Sequence, residues 1–218
     1  MKQPDNHKYN RIIAVGDIHG DLTALETLID RIDPTEEDLM IFLGDYVDFG
    51  PDSFDVVETV IDLKDAFPQT VTLCGEHEDF IRAMLMGNQD EQDRHLWLHH
   101  NGGQATIDSY RNSDEFLIAH RAFYMNLTYR FETWNHFFCH AGIRIDLPLA
   151  TQRDMDLVEA GEIFLRHPGP YEKIIVHGHH VIERIERLPH RINLDTGAGK
   201  GGFLTAMDVV GGEIFESR

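Results

Sequence analysis

The sequence predicts an α/β fold in which two mixed β-sheets pack together with helices outside. Three observations predict it. Up to residue 75, short apolar runs alternate with stretches of helical spacing in the order strand, helix, strand, helix, strand; this is the pattern of a parallel sheet with crossover helices. From residue 127 onward the pattern is mainly strand-like, which calls for a second sheet. Five of the chain's Gly-flanked turns sit directly behind an apolar run and carry Asp, Glu or His.

The elements follow in order. Arg11-Ile-Ile-Ala-Val15 is a short buried strand that stops at Gly16. Leu22, Leu25, Leu28, Ile29 and Ile32 recur at helical spacing, and Pro34 lies beyond the helix end. Leu39–Leu43 is a second buried strand stopping at Gly44, and Val56, Val57, Val60, Ile61 and Leu63 mark a second helix. Thr70–Cys74 is a third strand, stopping at Gly75. Residues 79–126 read as a helical insertion over the sheet, with one helix through Phe80–Met86, a polar stretch, Trp97 and Asn101-Gly102-Gly103, and a further helix beginning at Phe116-Leu117-Ile118-Ala119. His99 and His100 read as loop residues, not ligands. Leu127–Glu132 alternates as a half-buried strand, and His136–Cys139 and Ile174–Val176 are the strands before His140 and His177. Arg191–Leu194, Phe203–Val210 and Glu213–Phe215 complete the second half, with Gly211-Gly212 as a hairpin turn. Neither a Pro- or Ser-rich linker nor a repeat divides the chain, so residues 1–218 are expected to form a single domain.

Composition narrows the function. With 42% hydrophobic residues the chain can bury a sizeable core, and 26% charged residues is ordinary. A net charge of −19 argues against a nucleic-acid or anionic-membrane partner, which needs basic patches. No apolar stretch approaches the length of a membrane span, and the start Met1-Lys2-Gln3-Pro4-Asp5-Asn6 lacks a secretory apolar segment, so the expected location is cytoplasmic. Two cysteines, Cys74 and Cys139, are too few for a disulfide framework and read as small buried apolar residues. Oligomeric state is not legible.

The five turns are Gly16-Asp17-Ile18-His19-Gly20, Gly44-Asp45-Tyr46-Val47-Asp48, Gly75-Glu76-His77-Glu78, His140-Ala141-Gly142 and Gly178-His179-His180. In open α/β sheets, ligands bind outside the carboxyl ends of the strands, so turns far apart in sequence can share one site. Asp and His are the ligand types for hard or borderline metals. Asp17 and His19 alternate along a chain leaving its strand and suit one metal. Asp45 has two carboxylate oxygens with which to bridge two metals, and His140 and His179 complete the second. A metal pair about 3.5–4 Å apart is a standard device for attacking phosphate esters, because a hydroxide held between two divalent ions forms near neutral pH.

These motifs resemble those of the phosphoprotein phosphatase family within the calcineurin-like metallophosphoesterases, over Gly16 to about Ala198. The likeness is greatest to small bacterial and phage members, which also carry a stretch like Trp97 to Gly103. The resemblance implies Asp17, His19 and Asp45 on one metal, and Asp45, Glu76, His140 and His179 on the other. It implies His77 as general acid and Asp48 as its orienting partner, in a metallophosphoesterase of the serine/threonine protein phosphatase type. The cofactor would be two divalent ions, manganese by preference, with iron or zinc as options. The substrate would be a phosphorylated protein or a small phosphoester.

The sequence departs from that family's pattern at the phosphate pocket. Glu76 stands where the family has Asn, adding a negative charge and losing a donor. Phe49 stands where the family has a phosphate-gripping Arg, and a second family Arg corresponds loosely to Gly161. Phe49 and Arg144 are the expected substrate contacts, with Arg166 and Lys200 as other replacement cations. Two alternatives follow from these departures. One is a weakened pseudo-phosphatase that binds metal and a ligand or partner. The other is a symmetrical dinucleoside tetraphosphatase, with Trp97 and Phe49 stacking on bases.

Overall fold

The computed structural model describes residues 8–110 and 118–218. Among these residues, ten strands form two five-stranded sheets. In the first, β1 (Ile12–Val15), β2 (Leu39–Phe42) and β3 (Val71–Thr72) run parallel, and β9 (Thr205–Asp208) and β10 (Ile214–Glu216) add antiparallel at the β1 edge. In the second, β5 (His136–Cys139), β6 (Ile174–His177) and β8 (Arg191–Asn193) run parallel, and β4 (Arg130–Glu132) and β7 (Glu186–Arg187) are antiparallel edges. Both sheets are therefore mixed, as the sequence predicts.

Successive side chains on a strand face opposite ways, and β1 shows the consequence. Ile12 and Ala14 join Leu39, Ile41, Phe138, Val176, Ile192 and Met207 in a core drawn from both sheets. Ile13 and Val15 point the other way, into a cluster with Leu25 and Leu28 of α1 (Leu22–Ile32) and Val56, Val57 and Val60 of α2 (Ser53–Ala66). Both faces being buried explains why β1 and β2 read as continuous apolar runs. On the outer face of the second sheet, Phe137, Cys139 and Ile175 pack on Leu157 of α7 (Asp154–Val158) and Phe164 of α8 (Glu162–Arg166).

Helix α1 starts where the Asp21 carboxylate accepts the Ala24 N–H at 2.9 Å, an N-cap, and ends at Asp33 in the left-handed conformation. Arg11 anchors that end: its guanidinium donates to the Ile32 and Asp33 carbonyls and pairs with Asp38 at 2.6 Å, just before β2. Between β3 and β4 lie α3 (Glu76–Leu85), α4 (Glu91–His100), α5 (Gly103–Ser109) and α6 (Arg121–Asn126).

Some expectations are corrected. His99 and His100 close the last turn of α4 instead of lying in a loop. The third strand shrinks to Val71–Thr72: Leu73 still donates to the Phe42 carbonyl of β2 at 2.9 Å but forms only an isolated bridge to Thr128 on its other side. Helices α7 and α8 and strand β7 are too short to show a period in sequence. The expected helix start at Phe116 lies outside the described residues. Among the described residues, no helix is long and apolar enough to cross a membrane.

Candidate metal centre

The loops after β1, β2, β3, β5 and β6 converge, and Asp45 lies at their centre. Its Oδ1 accepts the His77 N–H at 3.1 Å. Its Oδ2 faces three imidazoles, with His140 Nε2 at 3.3 Å, His19 Nε2 at 3.4 Å and His77 Nε2 at 3.8 Å. Two groups of ligand atoms share this carboxylate: His19, Asp45 and His77, and Asp45, His140 and His179, each set within 4.8 Å of one another.

The tautomers follow from the carbonyls around them. His19 Nδ1 lies 3.0 Å from the Val47 carbonyl, and His140 Nδ1 lies 3.1 Å from that of Leu43. A carbonyl only accepts, so each Nδ1 carries the proton and donates it. That leaves each Nε2 aimed at the cluster, buried and without a hydrogen-bond partner among the described residues. A backbone carbonyl behind an imidazole is how metal-ligating histidines are oriented. Asp17 is also buried; its Oδ2 accepts the His179 N–H at 3.0 Å, and its Oδ1 has no hydrogen-bond partner among the described residues.

The electrostatics call for positive charge. Burial and then the neighbouring Asp195 push the Asp17 carboxyl well above its usual range. At His140 burial opposes protonation, yet the charges of Asp45 and Asp17 outweigh it and lift the pKa to about 10. Burial pushes His19 and His179 down to about 3. These shifts mark a buried excess of carboxylate charge around Asp45, which a bound cation would offset. Orphaned imidazole nitrogens beside buried carboxylates form a donor set that fits divalent metal.

The backbone here is strained. Of the six described non-glycine residues with positive φ, five are His19, Asp45, Asp48, Phe49 and His179. Such conformations persist only where surroundings enforce them. Glu78 does so for one turn: its buried carboxylate accepts the N–H groups of Asp45 (2.8 Å), Tyr46 (2.9 Å) and Gly75 (3.1 Å), tying the loop after β2 to the start of α3.

His77 and Asp48 form the second part of the site. Asp48 Oδ2 accepts from His77 Nδ1 at 2.5 Å and from the Trp97 indole N–H at 2.7 Å, while Thr106 Oγ1 donates to Oδ1. Burial disfavours a charged His77, but Asp45 and the Asp48 hydrogen bond prevail and raise its pKa to about 9. Trp97 and Thr106 arrive on α4 and α5. A Cβ at Gly103, the first residue of α5, would meet Trp97 Cε2 at 2.3 Å, so glycine there lets the indole reach Asp48.

The remaining expected residues are placed as follows. Glu76, first residue of α3, has Oε2 3.7 Å from His179 Nδ1 and stays half-exposed. The Phe49 ring stands edge-on to His19 and His77, with centroids 5.2 and 5.5 Å away, and is 38% exposed. Arg144 is held by Asp146 at 2.6 Å on an exposed loop. Gly161 caps α8 beside that loop. Trp97 is 1% exposed and does not offer a stacking face, which corrects its expected role against a base. Sequence reasoning missed Trp97 as a donor, Thr106, Glu78 and Asp195. Asp195 was findable: it follows the β8 run as Asp17 follows β1, and its buried Oδ2 lacks a partner among the described residues. Thr106 had no signal, because its role depends on how α5 docks.

A sandwich that gathers imidazoles and carboxylates at its strand ends defines the class, the metallophosphoesterases. The chain belongs to the calcineurin-like phosphoesterases, whose family pattern matches residues 10–199. Its relatives include serine/threonine-protein phosphatase 2 of Escherichia coli (strain K12), 26% identical over 91% of this chain and 93% of that one. An asymmetrical bis(5'-nucleosyl)-tetraphosphatase of Anoxybacillus flavithermus is 28% identical over 88% of each. A solved structure assigned as a diadenosine tetraphosphatase superposes with a TM-score of 0.71 over 98% of this chain and 95% of that one, at 23% identity, a likeness of fold.

Proposed function

We propose that this protein is a phosphomonoesterase that uses two divalent metal ions, manganese by preference, on phosphorylated protein or a small phosphoester. The observation that carries the reading is the Asp45 carboxylate shared between two histidine-containing groups. Asp17, His19 and Asp45 would hold one ion, and Asp45, Glu76, His140 and His179 the other. The ions would supply an activated water and neutralise charge on the phosphoryl oxygens.

The chain's own groups do the rest. His77 is the general acid. Its Nδ1–H is held by the Asp48 carboxylate, a hydrogen bond that favours the imidazolium, the form that can give a proton to a leaving alkoxide. Its Nε2 also stands farther from Asp45 than those of His19 and His140. Asp48 fixes the ring and is itself fixed by Trp97 and Thr106. A monoester is favoured over a dinucleoside polyphosphate because Trp97, the expected second stacking ring, is buried against Asp48.

The test combines elemental analysis with turnover. The purified protein should hold close to two equivalents of metal, and Asp45→Ala should lose both metal and hydrolysis of p-nitrophenyl phosphate. Phosphopeptides should be turned over faster than diadenosine tetraphosphate. Metal uptake without turnover of any ester would leave a binding module, and no uptake would end the proposal.

A further inference from the structure

A phosphoester arriving at this centre meets carboxylates and needs a cation besides the metals. Of the basic residues that might supply it, Arg144 is paired with Asp146 at 2.6 Å and Arg166 with Glu162 at 2.7 Å, both exposed. Lys200 is exposed as well but placed differently. Its Nζ lies 4.4 Å from the centroid of the Phe49 ring, and that ring abuts His19 and His77. No salt bridge among the described residues engages it.

The backbone of Lys200 is fixed, and its ammonium lies over the Phe49 ring. Its N–H donates to the Gly197 carbonyl at 3.1 Å, Gly202 N–H donates to the same oxygen at 2.8 Å, and Gly197 N–H donates to Asp195 Oδ1 at 3.0 Å. Gly199 has φ +68°, and a Cβ there would lie 2.2 Å from the His19 carbonyl oxygen. This loop is therefore pressed against the backbone of a metal-ligand candidate, which sets where the lysine emerges. A cation–π contact engages the charge of an ammonium without using up its three N–H donors. Phe49 thus holds a cation at the rim of the centre with its donors available.

We propose that Lys200 is the phosphate-binding cation of this site, its ammonium donating to a phosphoryl oxygen of the substrate while Phe49 serves as its support. The inference rests on the phosphoesterase reading above. It makes the Phe49 ring a platform for the lysine and not itself a phosphate contact. A lysine recognises a tetrahedral anion as a point charge, without the bidentate orientation an arginine imposes, so the site should tolerate varied ester groups.

The experiment uses manganese-loaded full-length protein and three variants, Lys200→Met, Lys200→Arg and Phe49→Leu. Binding of inorganic phosphate is measured by calorimetry, KM and kcat with p-nitrophenyl phosphate, and metal content by elemental analysis. Lys200→Met should weaken phosphate binding and raise KM about tenfold or more at unchanged metal content. Lys200→Arg should stay within about threefold of the parent, and Phe49→Leu should weaken phosphate roughly two- to fivefold. Phosphate bound equally by Lys200→Met and parent would overturn the assignment, as would loss of metal from Lys200→Met. A fully metallated parent that neither binds phosphate nor hydrolyses the ester overturns the phosphoesterase reading together with this one.

Discussion

At the scale of single residues, the site is governed by what stands behind each functional atom. Carbonyls of Val47 and Leu43 fix the tautomers of His19 and His140, and Asp48 fixes His77. The last of these has a measurable sign. The Asp48 hydrogen bond favours the imidazolium, so Asp48→Asn should lower the His77 pKa and move the alkaline limb of kcat to lower pH. It should also cut kcat by roughly tenfold to a hundredfold, a part of what general acid catalysis contributes. A pH–rate profile with p-nitrophenyl phosphate checks this, with metal content as control, and an unmoved limb would remove His77 from the proton-donor role. The residue types of this site were legible because Asp, Glu and His each follow a strand on a Gly-flanked turn. The supports Thr106 and Glu78 were not, because a hydroxyl or carboxylate aimed at a distant backbone leaves no periodic mark.

At the scale of elements, the loops hold their shape because the strands and helices behind them are pinned. Arg11 joins the end of α1 to the start of β2 and thereby fixes β1, whose end carries Asp17 and His19. Burial works against a charged Asp38, but hydrogen bonds from Arg11 and Thr35 outweigh it and hold its pKa below the usual 3.8. A carboxyl depressed on folding stabilises above its unfolded pKa, and the effect is lost as pH falls through the folded value. Asp38→Asn should therefore lower Tm at pH 7 by roughly 2–8 °C, for a loss of about 1–2 kcal/mol given that Arg11 is partly solvated. The gap from the parent should close at an acid pH below the depressed folded-state pKa. Thermal melts at both pH values check it, and an equal gap at both would show that the pair contributes through shape alone. The long elements were readable, since α1 and α2 repeat at helical spacing and β1 and β2 are uninterrupted apolar runs. The five-residue helices α7 and α8 span too few turns to declare a period, and packing of Leu157 and Phe164 on the second sheet holds them.

At the scale of the whole molecule, one centre joins two sheets. Asp17 and Asp45 come from the first sheet, and His140 and His179 from the second. Ions bound there would link the halves and neutralise carboxylates that now repel. Metal at a hundred times its dissociation constant should add about 2.7 kcal/mol per site, which for a chain of this size raises Tm by roughly 5–10 °C. Differential scanning calorimetry with manganese and with a chelator checks this, and identical melts would argue against a resident ion. The two-sheet architecture was legible from the change of rhythm near residue 127, but the pairing of edge strands β4 and β7 was not, because it is decided by partners far along the chain. The indole held against Asp48 carries one more consequence. The chain has two tryptophans, and Trp134 is 71% exposed whereas Trp97 is enclosed. Their emission should separate by colour and by access to a soluble quencher, which gives the Asp48–His77 pair a native optical reporter requiring no label.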